Sequence, residues 1–550
     1  MFDLLAPVLA ASAAQAAPAP PPAPVDVAQK QEATTEAQLP ASQTSERPKA
    51  PKPAFRPINH DEDYSGFRDV RDANLWTRLK YLPIVGNTYA TLGGELRLRP
   101  ELRLGERWGR GPQDDDGNFQ QRSRIWGDLQ VEGLFRAFVD LEHATSTGLD
   151  SVVAPIEEGR LDFNQAFVEA HVPVGQGRIV ARLGRQEIGI GNQTVFDMRE
   201  GANTRRSLDL LRVMATQGPW DGGFLTGHAV LEKLGTFDDE TNHDYDLTGF
   251  HAGRSFGTGP RTGRAEALFV SSDRASLAFD SEAAARDQRR TLSLRYAGKR
   301  DAWSIDVEGI RQWGSFGDLD ISAYYVTGTA AYGWQGGWKP KLALRVDVGS
   351  GDKNPNDGKI GTYAPLFPKP LTYNGDLGPH NLTIIQPQLS IQPTAKLKLD
   401  FSAAGLWRTS TKDGVYSLGG QVLRRGDESD SRFFGKRATA AGQYALNAFM
   451  TLGFYTIYGD VSEKFKPGRD LYYAATYLTF RFYIRQCGCA GGRRDRRSPP
   501  AQAAAVSFAV ATAGTRIAPA PRRPPRPRSR RRRRPAPRPR RPAGPSGNRR

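Results

Sequence analysis

The feature that most constrains the fold of this chain is a strict alternation of apolar and charged residues. In the segment 96–104, leucine takes the even positions apart from Pro100, and the odd positions are charged: Arg97, Arg99, Glu101 and Arg103. Because successive side chains of a β-strand point to opposite faces, such a strand has one apolar face and one charged face. A soluble sandwich buries the apolar face. A transmembrane barrel places it against lipid and turns the charged face towards a water-filled lumen.

The pattern recurs along the chain and predicts about 18 strands. They cover residues 91–104, 121–132, 134–144, 163–172, 178–188, 207–215, 224–234, 247–254, 264–272, 290–297, 303–312, 320–332, 341–349, 382–391, 396–408, 433–444, 449–458 and 471–482. Single-chain bacterial outer-membrane barrels have an even number of strands. We therefore predict an all-β fold, a transmembrane antiparallel β-barrel over residues 91–482.

The links between the predicted strands alternate in length, which indicates which ends share one side of the membrane. Short links fall at 133, 173–177, 218–223, 257–263, 298–302, 333–340, 392–395 and 445–448. Longer, more polar links fall at 105–120, 145–162, 235–246, 273–289, 350–381 and 409–432, whereas the link 314–319 is shorter than expected. Short periplasmic turns and long outer loops are typical of such barrels, so both barrel ends are expected on the periplasmic side. The length of 350–381 favours a loop folded into the bore.

The amino-terminal region is typical of an exported protein. Residues 1–17 resemble a signal peptide, with an apolar run over 2–11 and the small-residue site Ala14-Gln15-Ala16, but no basic residue precedes Lys30. The alternative is a Pro/Ala linker that begins at residue 1. Residues 18–55 are expected to form a Pro/Ala-rich periplasmic linker, followed by an entry segment over 56–90. No apolar run is long enough for a membrane helix, so a chain in the Gram-negative outer membrane must cross it as a barrel.

The carboxyl-terminal segment 483–550 distorts the composition. It contains 20 Arg, no Lys and one acid, Asp495, so the charge of +17 for the whole chain leaves the rest slightly negative. Its Arg, Pro, Ala and Gly are typical of GC-rich DNA translated in a wrong frame, and we interpret it as a read-through or frameshift product. The alternatives are a genuine extension and an arginine-rich arm for nucleic acid. We expect a disordered tail, because the segment lacks the apolar surface to offset its chain entropy. We also expect no nucleic-acid partner.

The residues that would support catalysis or metal binding are sparse. The two cysteines, Cys487 and Cys489, both lie in the tail, and the seven histidines are scattered without metal-ligand spacing. No histidine has the spacing from a serine that a nucleophile and base would need. Asp352 and Asp357 have a calcium-loop spacing, but they are equally typical of turns. We predict no enzymatic activity, no metal and no cofactor.

Aromatic residues near the predicted strand ends favour the two interfacial girdles of a membrane barrel. They are Trp126, Trp303, Trp313, Trp334, Trp338, Trp407, Tyr455 and Tyr458. The alternative is an ordinary β-core, in which aromatic residues are also frequent.

Several motifs resemble those of the alginate export outer-membrane proteins. They include 61–64, 79–83, 92–97, 182–187, 203–209, 350–352, 356–358, 361–363, 366–368, 381–382, 407–408 and 413–416, so the resemblance spans about residues 60–482. Leu208 departs from the pattern, which has an aromatic residue there. The resemblance implies an 18-stranded barrel with an electropositive lumen that passes an anionic polysaccharide, alginate in the named members, out of the cell.

The alternation itself places a set of arginines on the lumen face. They are Arg97, Arg99, Arg103, Arg124, Arg136, Arg295, Arg345, Arg408 and Arg481. A pore lined with one sign of charge concentrates counter-ions, and a guanidinium group binds carboxylates bidentately. The alternative is structural, because arginine can pair with wall acids, here Asp128, Asp140, Glu142, Glu169, Asp347 and Asp400. Alternation does not fix the facing of Arg185, Arg205 and Arg206.

We therefore predict an outer-membrane channel that passes an anionic exopolysaccharide by passive diffusion. The alternative is an uptake porin for anions or oligosaccharides. The expected partners are the polysaccharide, outer-membrane lipid and lipopolysaccharide, a periplasmic export scaffold, and the barrel-assembly machinery, which would bind the terminal Phe482.

Overall fold

The computed structural model describes residues 55–68, 79–110, 113, 115, 117–149, 153–371, 376–465 and 468–481. The chain divides into two units, 1–486 and 487–550, and every described residue lies in the first. The signal segment, nearly all of the linker, Phe482 and the tail fall outside the described residues, so the expectations for them stay predictions.

The described part of the chain is almost entirely β-structure. The strands are β1 (Leu82–Val85), β2 (Thr88–Leu104), β3 (Gly117–Val131), β4 (Phe135–Thr147), β5 (Gly159–Val174), β6 (Gly177–Gln186), β7 (Leu208–Gln217), β8 (Trp220–Leu231), β9 (Glu240–Thr258), β10 (Arg261–Leu277), β11 (Ala285–Arg300), β12 (Trp303–Phe316), β13 (Leu319–Gly333), β14 (Lys341–Gly349), β15 (Lys359–Ile360), β16 (Leu382–Ile391), β17 (Leu397–Arg408), β18 (Val415–Tyr416), β19 (Val422–Arg424), β20 (Phe433–Ala445), β21 (Met450–Val461) and β22 (Leu471–Arg481). Short helical turns occur at Asn59–Asp61, Ser65–Phe67, Glu106–Gly109, Gly426–Glu428 and Glu463–Phe465. Within the described ranges, no helix combines the length and the hydropathy needed to cross a membrane.

Eighteen of these strands close into one antiparallel barrel, which confirms the predicted fold and strand number. Each barrel strand pairs with the next along the chain, and the ring closes because β2 pairs with β3 on one edge and with β22 on the other. β1 pairs only with the start of β2, β15 adds to β13 in parallel, and β18 with β19 forms a separate hairpin. Closure leaves the wall without a free edge, as a barrel in lipid requires.

The predicted alternation sets the two faces of the wall. On β4, Phe135 and Val139 are exposed on the outer face, whereas Arg136 and Asp140 are buried on the inner face. The outward-facing side chains of Leu183, Leu294 and Leu344 are 59%, 57% and 49% exposed. Apolar side chains left this open around a closed wall are stabilised by contact with hydrocarbon.

The links alternate between the two ends of the barrel as predicted. One end carries the short links 132–134, 175–176, 218–219, 259–260, 301–302, 334–340, 392–396 and 446–449. The other end carries 105–116, 148–158, 187–207, 232–239, 278–284, 350–381, 409–432 and 462–470, together with the two-residue link 317–318. The start of β2 and the end of β22 both lie at the short-link end.

The aromatic residues expected in the girdles differ in facing, and the prediction is wrong for two of them. Trp303, Trp334 and Trp338 are exposed at the short-link end. Trp126 instead faces inwards and is only 5% exposed, because its ring packs over the bare backbone of Gly93. Tyr455 also faces inwards, where its ring packs against Tyr473. Both residues occupy positions that alternation places on the lumen face of their strands. Proximity to a strand end does not indicate which face a side chain lies on.

The barrel interior is partly filled by segments that fold inwards. The predicted inward fold of the link 350–381 is confirmed for residues 350–371, since Tyr363 stacks on the inward-facing Tyr325 of β13 with ring centroids 5.0 Å apart. The link 187–207 also folds inwards, and its Phe196 stacks on Phe367. The amino-terminal segment 55–68 lies against the inner wall, where Asn59 donates to Asp140 at 3.0 Å. The open passage is therefore narrower than the strand number alone implies.

Candidate functional site in the lumen

On β2, two of the predicted lumen arginines face inwards but hold a loop in place. Arg97 donates to the carbonyl oxygen of Glu200 at 2.9 Å, and Arg99 donates to that of Gly201 at 2.5 Å. Each side chain is only 3% exposed. These guanidinium groups fasten the inward link 187–207 to the wall and do not face open water.

The same link is anchored by a buried carboxylate, Glu187. The guanidinium group of Arg205 donates to both of its oxygens, at 2.6 and 2.7 Å, and Arg124 and Asn164 donate at 2.9 and 2.7 Å. Burial alone raises the pKa of Glu187, but the charges of Arg205 and Arg124 lower it further than burial raises it. The carboxylate therefore stays ionised, and Arg124 from the predicted set pairs with it and with Asp140.

The amino-terminal segment is held by a third arginine of the predicted set. Arg136 pairs with Asp128 at 2.8 Å and donates to the carbonyl oxygen of His60 at 2.7 Å. The His60 ring lies 2.5 Å from the amide oxygen of Gln165 and 2.6 Å from the guanidinium group of Arg182. Burial, and then the charges of Arg182 and Arg136, lower the pKa of His60 well below its usual range. His60 is therefore neutral in the docked segment.

Three further members of the set are also engaged. Arg103 pairs with Glu101, Glu106 and Glu157, and Arg481 donates to Glu95 at 2.6 Å. Arg408 is fully buried, and it donates to carbonyl oxygens of the loop 409–432, including that of Ser431 at 2.8 Å. Such contacts favour the structural interpretation for these residues. A ligand role for them stays a prediction.

Three further inward arginines, on β10, β11 and β14, keep part of their side-chain surface exposed. Arg264 of β10 pairs with Asp221 at 2.7 Å, Arg295 of β11 with Asp306 at 2.7 Å, and Arg345 of β14 with Asp347 at 2.8 Å. Their side chains are 33%, 13% and 28% exposed. We call Arg264, Arg295 and Arg345 the arginine ladder. Strand alternation predicted Arg295 and Arg345 on the lumen face. Arg264 was not predicted, although its alternation with Glu266 and Leu268 indicates an inward position.

Most of the predicted wall acids pair with arginine. Asp128, Asp140, Glu142, Glu169 and Asp347 all do so. Asp400 does not, and that prediction is wrong, since its carboxylate pairs with Lys398 at 3.0 Å. Lys398 and Asp400 lie two residues apart on the same face of β17, so the lysine takes the place of the expected arginine.

The three arginines without an assigned facing occupy different places. Arg185 lies on the outer face, where it pairs with Asp209 at 2.9 Å. Arg205 is buried inside the barrel on Glu187, and Arg206 lies over the ring of Phe367 at 5.5 Å. The inward links thus bring cations into the lumen that strand alternation does not reveal.

The acidic residues considered for a cation have simpler explanations. Asp352 and Asp357 each accept the backbone N–H two residues ahead, at 3.0 Å, as turn residues do. The carboxylates of Asp162, Asp238 and Asp239 lie close enough to share an ion. One oxygen of Asp162 already accepts the backbone N–H groups of the other two, at 2.8 and 3.1 Å, which accounts for the cluster. The predicted absence of a metal stays a prediction.

Comparisons with known proteins give one family match. A family model described as alginate export matches residues 88–456, which is more than half of the chain. No curated protein matches the chain.

Solved outer-membrane proteins of pseudomonads are similar to this chain in structure. The outer membrane protein OpdK of Pseudomonas aeruginosa has a TM-score of 0.48 and 10% identity, over 71% of this chain and 98% of that one. OccK9 (OpdG) of Pseudomonas aeruginosa has a TM-score of 0.48 and 12% identity, over 72% and 98%. OprB of Pseudomonas putida has a TM-score of 0.40 and 9% identity, over 72% and 94%.

Proposed function

Because the chain belongs to the alginate export family, we propose that it passes an anionic, alginate-like exopolysaccharide by passive diffusion. Family and fold together make the chain an outer-membrane channel built on a β-barrel. We propose in addition that the polymer is an anionic polysaccharide, that its passage is passive, and that the channel catalyses no reaction.

The observation that supports it is the partial exposure of the arginine ladder. Arg264, Arg295 and Arg345 come from β10, β11 and β14, and each keeps part of its guanidinium surface exposed while paired with wall acids. Arg264 and Arg295 also share Glu266. A carboxylate on a passing sugar can compete for the free N–H donors, because guanidinium groups bind carboxylates through two parallel hydrogen bonds. Transport needs several weak sites rather than one strong site, so that the polymer can leave. Pairing with wall acids weakens each site in that way.

A second function is favoured by the narrowing of the lumen. The inward links occupy part of the bore, and a small solute needs less of the remaining width than a polymer chain does. The alternative is therefore an uptake porin for small anions or oligosaccharides.

We also propose an orientation and partners. The short-link end, with both ends of the barrel, would face the periplasm, because outer-membrane barrels have short periplasmic turns. Lipid and lipopolysaccharide would surround the outer face. A periplasmic scaffold would deliver polymer, and Phe482, outside the described residues, would bind the assembly machinery.

The test is the reversal potential of the full-length protein in a planar bilayer under a potassium chloride gradient. We expect anion selectivity, block by long polyuronate, and a lower anion preference when Arg264→Gln and Arg345→Gln are combined. Arg286→Gln removes one positive charge from the outer face, where Arg286 pairs with Asp273, and should leave selectivity unchanged. Cation selectivity would contradict the proposal. Entry of short anions without block by the long polymer would favour the uptake porin.

A further inference from the structure

A cavity of about 170 Å³ lies between the inward link and the wall. It is lined by Asn192 of one inward link, Lys369 of the other, and Asp306, Thr327, Thr329 and Arg345 of β12, β13 and β14. The cavity therefore combines two cations, one carboxylate, two threonine hydroxyl groups and an amide in the part of the lumen that contains the arginine ladder.

The charged groups of the cavity differ in whether they are paired. Arg345 is paired with Asp347 through two hydrogen bonds, at 2.8 and 3.0 Å, and Asp306 is paired with Arg295 at 2.8 and 2.7 Å. The ammonium group of Lys369 is exposed and makes no hydrogen bond or ion pair with the residues that the structure describes. Arg295 also pairs with Glu266, and the charge of Lys369 acts on the buried carboxylate of Asp197. Lys369 is therefore the cation of the cavity that forms no ion pair with a described residue. A narrow pore amplifies such a charge, because its field is poorly screened there.

The backbone holds Lys369 in one place. Its N–H donates to the carbonyl oxygen of Gln193 at 3.0 Å, and Phe367 pairs with the other inward link through Val195 and Asp197. Pro368 and Pro370 flank the lysine and restrict the backbone on both sides. The backbone at Lys369 is therefore fixed, and the lysine side chain extends from it into the cavity.

The neutral groups of the cavity are also available to a ligand. The amide oxygen of Asn192 accepts the N–H and the hydroxyl group of Thr194, at 3.2 and 2.5 Å. Its amide nitrogen donates to no group among the described residues, and the hydroxyl groups of Thr327 and Thr329 are likewise without a partner there. Such donors match the hydroxyl and carboxylate oxygens of a sugar acid.

We propose that this cavity is a subsite for one carboxylate-bearing sugar unit and that Lys369 determines its preference for the charged sugar. The inference rests on the proposed function. A lysine suits the role, because a single flexible ammonium group binds a carboxylate less rigidly than a guanidinium fork does. The bound unit can then move on, as conduction requires.

The experiment measures block of single-channel current by a uronic-acid trisaccharide, with a neutral glucose trisaccharide as the matched probe. We expect Lys369→Gln to weaken the uronate block about tenfold, which corresponds to one charge-assisted hydrogen bond. Lys369→Arg should retain the block. Lys353→Gln removes the same charge from an exposed position of the same link and should not alter it. Block by the neutral sugar should be equal in all variants.

The outcomes separate the two proposals. If uronate blocks the wild type and Lys369→Gln equally, the subsite is overturned while the channel function stands. If the wild type shows neither anion selectivity nor uronate block, both are overturned. A loss of block that Lys353→Gln reproduces would also overturn the subsite, because it would reflect the charge of the link as a whole.

Discussion

The buried carboxylate of Glu187 gives the sharpest prediction, because it joins an inward link to the wall. It accepts two hydrogen bonds from Arg205, one from Arg124 and one from Asn164, all between 2.6 and 2.9 Å. Glu187→Gln keeps the shape of the side chain but removes its charge. The guanidinium groups of Arg205 and Arg124 then remain buried with one negative charge fewer beside them.

The expected cost follows from that loss. Removing one partner of a buried ion pair costs about 3–5 kcal/mol. Because glutamine can still accept a hydrogen bond, we expect the lower end, about 3 kcal/mol, in the free energy of unfolding. Equilibrium urea unfolding of the protein in lipid vesicles, followed by tryptophan fluorescence, measures it. We also expect a higher and noisier single-channel conductance, since the link 187–207 narrows the lumen.

The control is Asp273→Asn, which removes a carboxylate from an exposed pair with Arg286. Exposed pairs contribute little, so no resolvable change is expected there. The reasoning is refuted if Glu187→Gln is as stable as this control and its conductance matches that of the wild type.

Two further predictions concern the segments that fill or cap the barrel. The docked segment 55–68 holds His60 neutral, with its pKa below the usual value of 6.5, so the free segment takes up a proton more readily and docking weakens as the pH falls below about 6.5. Single-channel conductance should therefore rise between about pH 7.5 and about pH 5 in the wild type, but less in His60→Gln; an equal rise in both would exclude His60 as the cause. At the long-link end of the barrel, the amide nitrogen of Asn381 donates to the carbonyl oxygens of Ser410, Asp413 and Gly414 at 2.9 to 3.0 Å. Asn381→Ala should lower the free energy of unfolding by about 1–3 kcal/mol and hasten protease cleavage within 409–432; unchanged cleavage would show that the loops do not depend on this residue.

The wall could be predicted from the sequence because one local rule governs it. Alternation along β4 or β14 fixes which side chains face lipid, and turn residues such as Gly133 and Gly218 mark the short links. Each strand can be identified without knowledge of its neighbours. The 18 predicted strands therefore correspond to the 18 observed, although several observed strands are longer.

The filling of the lumen could not be predicted in the same way, because it depends on contacts between distant residues. Arg97 meets carbonyl oxygens near Glu200, and Arg136 meets His60. Every residue has a carbonyl oxygen, so the sequence does not indicate which of them accepts a hydrogen bond from an arginine. Lys369 was not predicted because apolar and polar residues do not alternate in its link. Its position is set by backbone pairing with the other inward link. Alternation thus fixes the facing of an arginine but not its partner.

The central claim is that alternate side chains of a closed wall face lipid and lumen, and β14 offers the most direct test. Spin labels on single cysteines, with Cys487 and Cys489 replaced by serine, would be placed at Leu342, Leu344 and Val346 and at Ala343 and Arg345. In lipid vesicles, collision with oxygen should be frequent at the first three positions and infrequent at the other two. Equal collision frequencies in the two sets, or frequencies reversed between them, would contradict the account.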